Sequence, residues 1–158
     1  MRKFIIDTDV GGDDAAALVM ALRNPEIEIL GITTLGGNVP IENTTKNALQ
    51  AVEECGRDVP VYIGCAKPLM RELVTADNVH GKDGMGDCGL IHPTRKPEKM
   101  HAVEFILETV ASYPDEVEIG SIIVVQPGEK VTVKMAIPEE YIGRDNYVIG
   151  IDEAAFYG

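Results

Sequence analysis

The run Phe4-Ile5-Ile6-Asp7-Thr8-Asp9-Val10-Gly11-Gly12-Asp13-Asp14 decides how the chain is read. Three apolar residues lead straight into carboxylates, the pattern of a buried strand that ends at a polar edge. Asp13 and Asp14 then open a stretch rich in Ala, Leu, Val and Met, from Ala15 to Leu22. Acidic residues at a helix start complement its N-terminal dipole, so this stretch is expected to be helical. Asn24-Pro25 ends it. Outward from this unit the pattern repeats. Ile27 to Thr34 reads as a second strand, and Gly36-Gly37-Asn38-Val39-Pro40 as a loop. Ile41 to Cys55 has helical period, with Gly56 placed as its C-cap, and Val59 to Ile63 reads as a third strand.

Gly64 to Lys99 has no regular period, with glycines at 81, 84, 86 and 89 and prolines at 68, 93 and 97. A stretch this long inside a compact domain is usually functional or mobile. His101 to Ser112 (HAVEFILETVAS) is again helical, and Val117 to Val125 is a strand candidate. Strands alternating with helices of this length predict an α/β fold: a Rossmann-like, mostly parallel sheet with helices on both faces. From Gly120 the character changes. Gln126-Pro127-Gly128-Glu129 and Gly143-Arg144-Asp145-Asn146 read as turns, and Lys130 to Ile137 and Tyr147 to Ile151 as strands. We therefore expect an α/β domain over residues 1–119 and an antiparallel β appendage over 120–158, packed on it or extending it.

Composition narrows the function. Acidic residues outnumber basic ones 26 to 14, for a net charge of −12. Such a surface repels phosphate backbones and anionic lipid, so neither nucleic acid nor a membrane is an expected partner. No apolar run approaches the ~20 residues that span a bilayer. The start of the chain meets Asp7 after three apolar residues, unlike a secretory signal. Cys55, Cys65 and Cys88 form no metal-binding pattern and are expected to be reduced thiols of a cytoplasmic protein.

Four aspartates within eight residues are more than helix capping requires. They fall at the carboxyl edge of the first strand, where open α/β sheets bind ligands. Gathered without a lysine or arginine nearby in sequence, they would raise one another's pKa values, and a bound cation is the simplest compensation. Oxygen-only donors suit Ca²⁺ or Mg²⁺ rather than zinc. Asn38 follows the second strand and so lies on the same edge, where its amide could bond a sugar hydroxyl in both directions. His80, in the glycine-rich run VHGKDGMG (79–86), is a candidate acid or base, although a lone loop histidine is more commonly a solvated side chain.

The segments DTDVGGDDAAAL (7–18), ITTLGGNVP (32–40), NALQAVEECGRDVPVYIGCAKPL (47–69) and VHGKDGMG (79–86), in that order, resemble the nucleoside hydrolases. These are inosine–uridine-preferring, calcium-dependent N-ribohydrolases. The resemblance covers residues 3 to 118 and includes the opening signature D-x-D-x-G-x-D-D, with Val10 where many members have proline. It implies roles by position. Asp9 would bind calcium and deprotonate the attacking water, and Asp14 would be a second calcium ligand. Asp13 and Asn38 would hold ribose hydroxyls, and His80 would lie near the sugar and the leaving base. Asp7 would orient its neighbours from behind. The implied substrate is a small ribonucleoside, and homo-oligomers are expected.

Other parts of the family pattern have no counterpart. Gly120-Ser121-Ile122-Ile123-Val124-Val125-Gln126-Pro127 stands where members carry Leu-Gly-Pro-Leu-Thr-Asn, and the later His-Asp pair is absent. No residue is assigned to the third carboxylate ligand or to the leaving-group acid. Two alternatives follow: a catalytically incomplete member that binds calcium or nucleoside weakly or serves as an interaction subunit, and a haloacid dehalogenase-type phosphatase. In the second, Asp7 would be the nucleophile of a D-x-D-x-[TV] start.

Overall fold

A computed structural model describes residues 1–121 of the chain. Strand β1 (Arg2–Thr8) is followed by helix α1 (Gly12–Arg23), strand β2 (Ile27–Thr34), helix α2 (Ile41–Glu54) and strand β3 (Val61–Ile63). A four-residue helix α3 (Asp77–His80) sits inside the long connection, before helix α4 (Ala102–Ser112) and strand β4 (Val117–Ser121). The sheet order is β3-β2-β1-β4 and every pairing is parallel. The chain steps outward from β1 to β3 and then returns to β1's other side. That reversal makes the carboxyl ends of β1 and β4 the crevice at which such sheets bind ligands.

Both faces of the sheet are covered, and β2 is buried at Ile29 and from Gly31 to Thr34. On one face Ile6, Val10 and Ile32 pack with Leu18 and Leu22 of α1 and Ala48 and Val52 of α2. Each fully buried Leu or Ile contributes about 1.5–3 kcal/mol. On the other face Phe105 of α4 stacks on Tyr62 at 3.8 Å between ring centroids. Gly31 of β2 leaves room for that ring: a Cβ there would lie 2.5 Å from Phe105 Cζ. The parallel sheet with helices on both faces is therefore as expected.

The sequence reading differs in detail. The third strand begins at Val61 rather than Val59, although the Pro60 carbonyl still accepts from Ile32 N at 2.9 Å. The irregular stretch contains α3. His101 is the N-cap of α4, its Nδ1 accepting from Val103 N at 3.2 Å. Gly56 takes φ +60° one residue past the Cys55 cap, as a helix-ending glycine should. The strap before α4 covers the outer side of β3: Glu98 N donates to the Val61 carbonyl at 2.8 Å, and His101 bridges to Ile63. The expected β appendage lies, beyond Ser121, outside the described residues. No described helix is long and apolar enough to cross a membrane.

Candidate active site

The site is built on the turn from β1 into α1. Asp7 ends the strand's core and has Thr33 and Ser121 as its register partners on the two flanking strands. Its Oδ1 accepts from Thr33 Oγ1 at 2.6 Å. Burial pushes the Asp7 carboxyl above its usual range; the Thr33 hydroxyl opposes this and the Asp9 charge adds to it.

Asp9 meets the loop after β2. Its Oδ2 accepts from Asn38 N at 2.7 Å, and Asn38 Nδ2 donates to the Asp9 carbonyl at 3.2 Å. Gly37 makes the approach possible, because a Cβ at that position would stand 2.0 Å from Asp9 Oδ2. Asp14 is 2% exposed. Its Oδ2 accepts from Gly11 N at 2.9 Å and from Asn38 Nδ2 at 2.7 Å. The Gly11 contact is a third-position side chain reaching back to the N-cap amide, one arm of a capping box. Burial again raises the carboxyl, assisted by Asp9 and Asp13 and opposed by the Gly11 amide and by His80. Mutual repulsion of the carboxylates is thus present, but desolvation is the larger cause.

His80 is partly buried. Its side chain is 17% exposed, with Nδ1 3.8 Å from Asp13 Oδ1. It also lies over Gly11, where a Cβ would be 2.9 Å from His80 Nδ1 and 3.1 Å from Asn38 Nδ2. Asp13 is half exposed and faces outward beside it. The structure thus gathers Asp7, Asp9, Asp13, Asp14, Asn38 and His80 around one glycine turn.

Sequence reasoning missed the residues that hold this arrangement. Asn47 of α2 is 2% exposed and donates from Nδ2 to the Val10 carbonyl at 3.0 Å and the Asp83 carbonyl at 2.9 Å. Asn43, one turn earlier, donates to the Lys82 carbonyl at 2.8 Å. Both lie on a helix whose sequence period marks only its apolar face. Thr33 was read only as part of a strand. Polar residues inside such runs are the one signal that points to them.

Among the described residues no lysine or arginine acts on Asp7 or Asp14, and the aspartates offer oxygen donors. This chemistry fits a hard divalent cation better than any other ligand. Among the described residues no group of three or more His, Cys, Asp or Glu is arranged around one point, so Asp9 and Asp14 would form part of a coordination sphere.

Comparison with known proteins agrees with this geometry. The family model described as inosine-uridine preferring nucleoside hydrolase matches residues 4–125. Uridine nucleosidase 1 of Arabidopsis thaliana is 50% identical over 120 residues, covering 75% of this chain and 36% of that protein. The pyrimidine-specific ribonucleoside hydrolase RihB of Escherichia coli is 38% identical over 135 residues, or 85% and 42% of the two chains. The solved structure of a purine-preferring ribonucleoside hydrolase from Gardnerella vaginalis superposes with a TM-score of 0.71 at 34% identity, over 76% of this chain and 40% of that one. The chain spans about two fifths of the length of these relatives. The phosphatase alternative loses its support, because the family model and the relatives are nucleoside hydrolases. A family match over most of the chain, reinforced by relatives of this identity, gives one conclusion: the chain belongs to the inosine–uridine preferring nucleoside hydrolase family.

Proposed function

We propose that this chain carries the sugar-binding and water-activating part of a ribonucleoside N-ribohydrolase site, releasing base and ribose. The observation that supports it is the Asn38 bridge, which ties Asp9 and Asp14 into one unit at the sheet's switch point. In this reading Asp9 takes the proton of the attacking water. Water adds to the anomeric carbon as the carbon–nitrogen bond breaks; the base leaves with the bonding electrons and takes a proton from solvent, and Asp9 returns to solvent the proton it took. Positive charge builds on the sugar in that transition state. Asp7, Asp9, Asp13 and Asp14 supply a preorganised negative field for it. Asn38 directs Nδ2 to the aspartates, which leaves Oδ1 to accept from a ribose hydroxyl. Asp13 faces outward and accepts from another. Asp7 holds its neighbours in place from below, and His80 stands over the sugar near the base.

Asp9 and Asp14 would hold a calcium ion. Bound there it would polarise the water and anchor the sugar hydroxyls. Calcium takes six to eight oxygens, so others are required beyond these two carboxylates. Residues 1–119 form the hydrolase domain in this reading, with 120–158 as a β-rich segment on it. Free thiols at Cys55, Cys65 and Cys88 fit a cytoplasmic setting, and copies of the chain assemble with one another.

The test is ribose release from inosine, uridine, adenosine and cytidine by the full chain with millimolar calcium. Relatives are named for different bases, so all four are needed. Turnover that falls by about a thousandfold or more in Asp9→Asn is expected. Folded protein with no turnover above that variant would overturn the catalytic reading. It would favour the alternative of a member that binds without cleaving.

A further inference from the structure

We propose that Asn47 is a positioning residue whose side-chain amide fixes the distance between the aspartate turn and His80. The proposal rests on the reading of His80 as a substrate contact. An asparagine amide has two N–H donors, and both are used here. One goes to the carbonyl of Val10, the residue before Gly11; the other goes to the carbonyl of Asp83, three residues after His80. The two segments that face each other across the site are therefore tied to one buried nitrogen.

The loop is shaped for this clamp. Gly84 has φ +79°, and a Cβ there would lie 2.8 Å from Asn47 Nδ2 and 2.9 Å from Val39 Cγ2. Only a residue without a side chain lets the backbone approach so closely. Asn43, four positions earlier on the same face of α2, holds the Lys82 carbonyl. Within the loop, Asp83 Oδ1 accepts from Met85 N and Asp87 N, and Gly86 N donates to the His80 carbonyl at 2.7 Å. The loop is thus bonded to itself as well as to its anchor. Asn47 Oδ1 is buried without a hydrogen-bond partner among the described residues, so the contacts to both segments are made by Nδ2.

The experiment compares Asn47→Ala with Val52→Ala, a buried change in the same helix whose side chain makes no hydrogen bond to either segment. Both are made in the full chain, without added metal. Amide hydrogen exchange is read by segment, and the His80 ring resonance by NMR. In Asn47→Ala, exchange over residues 80–87 is expected to rise about tenfold or more, beyond any rise in β1 and β2. The His80 resonance should move toward those of the exposed His92 and His101. In Val52→Ala neither change should appear beyond the general loss of protection. An equal, unlocalised rise in both variants, or an unmoved His80 resonance, would overturn the proposal. If Asn47→Ala does not fold, Gly84→Ala attacks the same contact from the loop side and is judged by the same two readouts. Neither readout needs turnover, so a chain that releases no ribose would sink the catalytic reading and leave this one to be decided separately.

Discussion

Asp14 shows how a single residue carries both a cost and a purpose. It is buried, it is bonded by two N–H donors, and its carboxyl is still raised by desolvation and by Asp9 and Asp13. A carboxyl raised on folding contributes stability in full below its unfolded value, and loses that contribution as pH rises through the folded value. At neutral pH the metal-free protein therefore bears the cost of an ionised, buried Asp14. Asp14→Asn is expected to stabilise the metal-free chain at pH 7, on the order of 1 kcal/mol, and to lose that advantage near pH 4 and below. Urea midpoints at the two pH values check this, and an equal difference at both would refute it. The aspartates, Asn38 and His80 were all visible in the sequence, because carboxylates and glycines at a strand end are unusual in number and in place. Thr33, Asn43 and Asn47 were not. Each acts on a segment far away in sequence, and nothing local marks a threonine or asparagine as the partner of a distant carbonyl.

At the scale of elements, β2 and α1 lie almost where their residues placed them. Asn24-Pro25 and Gly36-Gly37 punctuate them without ambiguity. The third strand starts two residues later than its apolar pattern does, since Pro60 has no N–H to give to a ladder. Helix α3 was missed because four residues show no period at all. The contact of α4 with the sheet is also silent in the sequence, yet it rests on one close fit. Gly31, Tyr62 and Phe105 form a stack in which the glycine is as specific as the rings. Phe105→Ala should cost about 3–5 kcal/mol. Gly31→Ala should cost about 1–3 kcal/mol alone, through overpacking, but far less in the Phe105→Ala background. A double-mutant cycle by chemical denaturation measures this, and additive costs would contradict the stack.

For the molecule as a whole, a net charge of −12 and a concentrated carboxylate turn make cation binding a matter of stability as well as chemistry. Calcium at constant ionic strength should raise the melting temperature, with a gain of about 2–3 kcal/mol at a hundredfold excess over its dissociation constant. Asp14→Asn should remove most of that gain, and an unchanged calcium response in the variant would place the ion elsewhere. The sheet order has a different consequence. One outer edge, at β3, is occupied by the chain's own strap through Glu98 and His101. The other edge is β4, whose inner side already pairs with β1. The sheet is therefore a one-ended template: closed to templated growth at β3, and open, among the described residues, only beside the switch point. A strand from another copy that lengthened the sheet there would pair with β4, on the aspartate-bearing side of the sheet and two strands from β1.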